Sequence, residues 1–131
     1  MTPEQIELVA TVIDGVADRP EFATRFYERL FEAAPQTAAM FPDVVSQRQK
    51  LADELAVMVS LLSDLGSLDA RARDLGERHR GYGVRAADYR LARVVMVDTL
   101  REVLGDQFGP ASEDAWNRAT SLITELMQAT S

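Results

Sequence analysis

The sequence predicts an all-α domain, and three observations carry that expectation. Apolar residues recur at steps of three and four through nearly every segment, the spacing that lines one face of a helix. Proline and glycine fall mostly between those segments, where they punctuate helices instead of breaking them. The strict alternation of a half-buried strand is absent, and no internal repeat is visible.

Each element has its own signal. Thr2 and Gln5 make a capping-box pattern, with Pro3 at the first helical position, where its missing N–H costs nothing. Ile6, Val9, Ile13 and Val16 then share a face, and Arg19-Pro20 marks a break. A second helix begins near Pro20, carrying Phe22, Phe26 and Leu30 on one stripe and Ala23, Tyr27 and Phe31 on the next. Pro35 starts a short helical turn that ends at Phe41-Pro42, because a residue before proline is pushed out of the helical region. From about Val45, the stripe Leu51, Leu55, Met58, Leu62 and Leu65 predicts one long helix to Leu65, stopped by Gly66. A short helix from about Asp69 to Arg80 ends in Gly81-Tyr82-Gly83. Two long helices follow, Ala86 to Leu104 closed by Gly105, and Pro110 to about Gln128.

Length and composition bound the function. A chain of 131 residues is expected to form one domain, long enough for one real core. It has no cysteine, which removes disulfides, thiolate metal sites and cysteine nucleophiles. Net charge is −7, from 21 acids against 14 bases, so a duplex nucleic acid is not an expected partner. The N-terminus lacks a basic segment followed by an apolar one, and the most apolar stretch, Leu55 to Leu62, is far short of a membrane span. A cytoplasmic protein without membrane contact is the expectation. Seven arginines concentrate between Arg71 and Arg93. A solvated helix face and contacts to an anionic ligand both fit that run.

The chain has a single histidine, His79. Alone it cannot close a zinc site, which needs cysteines or several carboxylates besides. A haem asks less, because its porphyrin supplies four nitrogen ligands and the protein adds one. Leu75 and Gly76 lie one turn earlier on the face of His79, and a small Gly76 would let a flat macrocycle approach.

Three stretches carry a family resemblance. The first is Phe26-Tyr27-Glu28-Arg29-Leu30-Phe31, then Pro35 and Met40-Phe41-Pro42. The second is Leu75 through His79 to Val84, followed by Tyr89, and the third is Leu104-Gly105-Asp106 with Ala115-Trp116. In order and spacing they resemble the globin domain of flavohaemoglobins and the related bacterial single-domain haemoglobins, over essentially the whole chain. The resemblance implies a globin fold of six to eight helices around one haem b (iron protoporphyrin IX).

It also implies roles. His79 would be the proximal iron ligand through Nε2, with its other ring nitrogen held by a backbone carbonyl near Leu75. Phe41 would stack on the macrocycle, and Leu51, Leu75, Val84 and Tyr89 would line it. Tyr27, Gln47 and Leu51 would face the gas ligand, Tyr27 and Gln47 as hydrogen-bond donors to a ligand that takes on negative charge. Gln47 and Leu51 are one helical turn apart, and 28 residues separate Leu51 from His79, as the family requires. Lys50 would meet one haem propionate, and Arg78, Arg80 or Arg85 the other. For each of these four, a place on the solvated surface fits as well.

One part of the pattern departs. The resemblance puts a tyrosine and a glutamate behind the proximal histidine. Tyr89, ten residues after His79, stands where the tyrosine belongs; the glutamate belongs about fifteen residues after Trp116, which is Ser131, and Glu125 comes too early. The proximal relay is expected to be incomplete, which argues against peroxidase-like chemistry. The sequence also has no Gly-rich dinucleotide fingerprint. Four functions stay open. They are reversible binding of O2 and other diatomic gases, nitric oxide dioxygenation with an external reductase, haem-based gas sensing, and a helical interaction domain without cofactor. Monomer and homodimer are both compatible with the sequence.

Overall fold

A computed structural model describes residues 1–129, and four of its six α-helices begin where a side chain satisfies a free N–H group at the helix start. Helix α1, Pro3–Ala17, opens on the Thr2–Gln5 capping box, both halves of which are made. Helix α2, Glu21–Ala33, follows directly on Pro20. A 3₁₀ helix, Pro35–Met40, carries the chain to Phe41. Helix α3, Val44–Ser60, is capped by the Asp43 carboxylate, which accepts from the Ser46 N–H at 3.1 Å. Helix α4, Leu65–Gly81, leads through a turn at Gly83, whose φ of 89° suits glycine, into α5, Ala86–Leu104. A short 3₁₀ turn, Gly105–Gln107, precedes α6, Pro110–Gln128.

One boundary differs from the sequence reading, and the reason is local. The long helix ends at Ser60 instead of Leu65, and the next starts at Leu65 instead of Asp69. Asp64 breaks the run by capping α4, accepting from the Ser67 N–H at 3.3 Å. Gly66 therefore lies inside the first turn of α4 and stops nothing. Leu65, which the apolar stripe had placed inward, is 61% exposed, while Leu62 is buried in the turn.

The core forms where α1 packs on α3 and α6, α2 on α3 and α5, and α4 on α6. Trp116, Phe22, Met58, Leu68 and Leu100 are its largest fully buried side chains. Two features tie distant segments together at the rim. Arg19 donates to the Val103 carbonyl at 2.6 Å, and Glu102 on α5 pairs with both Arg25 and Arg29 of α2. Among the described residues there is no strand, and no helix is long and apolar enough to cross a membrane.

Gly76 has a structural task other than the one its size suggested. A Cβ at this position would sit 1.9 Å from the Met127 carbonyl oxygen and 2.6 Å from the carbonyl carbon. The missing side chain is what lets α4 and α6 meet backbone to backbone. Gly76 is buried in that crossing and does not line the cavity described next.

Candidate functional site

Helices α2 to α6 leave a cavity of about 330 Å³ between them, within the size range of small-molecule sites. His79 lies in its wall on α4, half-buried. The His79 Nδ1 is 2.8 Å from the Leu75 carbonyl oxygen, one turn back on the same helix. A carbonyl only accepts, so a neutral ring must carry its proton on Nδ1, leaving the lone pair on Nε2. Burial pushes the His79 pKa below its ordinary value, outweighing the Leu75 hydrogen bond that raises it, and the adjacent Arg78 charge adds to the lowering. The imidazole is therefore held neutral, the form that binds a metal. The carbonyls at the end of α4 are also used: His79 O accepts from Tyr82 N at 3.0 Å and from Val84 N at 3.1 Å.

The expected distal residues lie in the same cavity. Tyr27, Phe41, Gln47, Lys50 and Leu51 line it along with Leu75, Val84 and Tyr89. Asp43, by capping α3, sets the register that brings Gln47 and Leu51 inward one turn apart. Tyr27 packs edge-on to Phe41 with ring centres 5.5 Å apart, and Phe26 and Phe31 complete an aromatic group around it. Burial pushes the Tyr27 phenol up to about 12. At neutral pH it is a hydroxyl donor, not a phenolate.

That shift has a measurable consequence. Below pH 10 both folded and unfolded chains keep the Tyr27 proton, and stability does not depend on it. Between the ordinary value of 10.0 and about 12 the unfolded chain releases the proton while the folded chain holds it, so stability falls as pH rises. Two pH units correspond to about 3 kcal/mol. Urea unfolding of the haem-free protein from pH 9 to 12 should show this loss, and Tyr27→Phe should lack it. Equal slopes in the two proteins would refute the burial of this phenol.

Of the expected rim cations, Lys50 and Arg78 border the cavity, but Arg80 and Arg85 do not. Arg80 reaches away and donates to the Met127 carbonyl at 3.1 Å, and Arg85 sits at the exposed start of α5. The wall includes residues to which the sequence reading gave no individual role: Glu54, Asp88, Arg93, Thr120 and Thr124. Two of these were findable from periodicity. Glu54 is seven residues after Gln47, and Arg93 is four after Tyr89, so each shares its neighbour's face. Glu54 also accepts both a 3.3 Å and a 3.0 Å bond from Arg71, tying α3 to α4 at the cavity edge.

Behind His79, the Tyr89 ring lies nearly parallel to the imidazole, with centres 6.0 Å apart and planes at 21°. Its hydroxyl is buried and has no hydrogen-bond partner among the described residues. Glu125 is exposed on α6 and borders neither His79 nor Tyr89 in the cavity wall. Ser131, the position the resemblance assigned to a glutamate, lies outside the described residues.

The donor set suits a haem. Among the described residues no three His, Cys, Asp or Glu gather to hold a bare metal ion. One neutral imidazole lines a cavity whose wall is more apolar and aromatic than polar, with Lys50, Arg78 and Arg93 among its charged residues, which matches a cofactor that brings four ligands of its own.

Comparison with known proteins agrees. A family model described as Globin matches residues 24–127. The chain is 25% identical over 125 residues to a flavohaemoprotein of Bacillus subtilis (strain 168), covering 92% of this chain and 31% of that one. It is 28% identical over 109 residues to an anaerobic nitrite reductase of Oryza sativa subsp. indica, covering 78% of this chain and 75% of the relative. It thus spans about a third of the length of the flavohaemoproteins it matches. Among solved structures, an engineered carbene transferase from Rhodothermus marinus is similar at a TM-score of 0.86 and 24% identity, over 97% of this chain and 90% of the other. At that identity it speaks for the fold. With the family model matching well over half of its residues, the chain belongs to the globin family, the haem-binding helical proteins.

Proposed function

We propose that this globin holds haem b in the cavity beside His79 and reversibly binds O2 and other diatomic gases there. The observation that carries the proposal is the Nδ1 contact to the Leu75 carbonyl, which leaves Nε2 of a cavity-lining histidine as a single neutral metal donor. The haem supplies the iron on which a gas is held. The chain's own residues do the rest. Leu75 fixes the His79 tautomer and ring orientation. Phe41, Leu51 and Val84 give the macrocycle apolar walls and keep water away. Tyr27, kept protonated by burial, and Gln47 offer donors to a ligand that gains negative charge. Lys50 and Arg78 border the cavity where a propionate would meet a cation. Haem added to the purified chain should give a stoichiometric Soret band, and no such band would overturn the proposal.

A second reading is nitric oxide dioxygenation with an external reductase as partner, in the cytoplasm. The flavohaemoprotein relatives favour it, and the similar Rhodothermus marinus protein is a candidate nitric oxide dioxygenase. The donor pair Tyr27 and Gln47 serves both readings. They separate under multiple turnover. With an added flavin reductase and NADH, sustained NO consumption by the oxygenated protein is expected of the enzyme. Consumption that stops after one equivalent is expected of the gas carrier.

A further inference from the structure

Beside the C-terminal ends of α4 and α6 lies a second recess of about 180 Å³, lined by Arg80, Val84, Ala86, Tyr89, Met127 and Gln128. It shares Val84, Tyr89 and Met127 with the wall of the larger cavity, while Arg80, Ala86 and Gln128 belong to the recess alone. Tyr89 is only 8% exposed, and its hydroxyl is a buried donor with no partner among the described residues. An unmet buried hydroxyl is costly, so in a native protein it signals a missing partner. Arg80 stands in the same recess. Its guanidinium has five N–H donors, of which one goes to the Met127 carbonyl. None of the six lining residues is acidic, so no carboxylate in the lining competes for those donors.

We infer that this recess is a binding site for a small planar monoanion of the carboxylate class, one oxygen accepting from Tyr89 and the other from Arg80. The shape and donor count select the ligand. A carboxylate presents two coplanar acceptors with one charge, which matches one arginine and one phenol. A larger or dianionic group has only one cation to meet and little room. The site bears on the haem side of the molecule because the Tyr89 ring stacks on His79. An anion held by the hydroxyl therefore fixes the ring that backs the proximal imidazole.

Sodium acetate tests this in the haem-loaded protein, with sodium chloride at equal ionic strength as the reference. Thermal unfolding of the native protein should show a saturable rise in Tm with acetate over chloride, roughly 4 °C at ten times the Kd. Arg80→Gln and Tyr89→Phe should each lose the rise, the second while keeping the aromatic ring and its packing. Soret absorbance checks that all three proteins carry equal haem, so loss of cofactor is not read as loss of the anion. No rise over chloride in the native protein, or an equal rise in all three, overturns the site.

Discussion

Gly76→Ala should destabilise this protein by about 3 kcal/mol or more, although it replaces a helical glycine with the best helix former. Intrinsic propensity favours the change by roughly 1 kcal/mol. Packing opposes it more strongly. The new methyl would lie 1.9 Å from the Met127 carbonyl oxygen and 2.8 Å from the Met127 Cα, so its nearest neighbours are backbone atoms. A flexible side chain could swing aside; a helix has to move as a body. Overpacking of this kind typically costs about 1–3 kcal/mol and sometimes more, even where side chains can yield. At this chain length the net loss should lower Tm by roughly 10 °C. Gly66→Ala supplies the control on the same helix. Its Cβ would meet only Asp64 Oδ1, at 3.8 Å, an ordinary contact in the exposed first turn. That variant should be neutral or slightly stabilising. Should the two substitutions have the same effect in thermal unfolding, the α4–α6 crossing is not as close as described.

Gly76 also marks where sequence reading reaches its limit. Its position one turn before His79 was legible, and so was the need for something small there. The identity of the neighbour was not, because Met127 is 51 residues away and only the packed helices bring it close. Local signals fared better. The capping box at Thr2, the break at Pro20 and the proline that opens α6 each depend on a few adjacent residues, and each helix starts where they indicate. The division between α3 and α4 was lost because the leucine stripe runs through the turn without a break in its spacing. The cap at Asp64 was the overlooked sign, and a capping carboxylate overrides periodicity by giving a first-turn N–H its partner.

The candidate site was legible where resemblance supplied a register and the helix supplied a face. Gln47 and Leu51 follow from one another by a single turn, and Asp43 anchors both. The rim cations were not legible in this way. Arg78, Arg80 and Arg85 are equivalent in sequence, yet only Arg78 borders the cavity, because the others project from the helix end and the following turn. Side-chain direction at a helix terminus depends on where the chain goes next, which the pattern of charges does not encode. Glu54 shows the converse. Its periodicity placed it on the Gln47 face, but a carboxylate in an apolar cavity makes sense only once Arg71 is seen to pair with it across α3 and α4.

His79→Ala should abolish tight haem binding while leaving the haem-free fold in place. The two effects separate because His79 contributes little to the core. It is half-buried, its ring's one hydrogen bond is to Leu75 of its own helix, and alanine keeps that helix and its backbone bonds intact. Removing the imidazole also removes a polar ring that burial holds below its ordinary pKa, so the haem-free variant loses no favourable charge. Removal of a group that merely orients a metal ligand typically costs about 10–100-fold in affinity. Deleting the ligand itself should cost at least the upper end of that range, about 100-fold. The expected result is a native far-UV circular dichroism spectrum and unfolding midpoint without haem, together with a weak and broadened Soret band on haem addition. His79→Gly opens the same space, and exogenous imidazole should restore the sharp band by occupying it, with its N–H free to meet the Leu75 carbonyl. A sharp band in His79→Ala without imidazole would mean that another side chain binds the iron. Tyr27 would then be the first to examine, although a phenol held protonated to about pH 12 in the haem-free fold is poorly placed to replace a neutral imidazole.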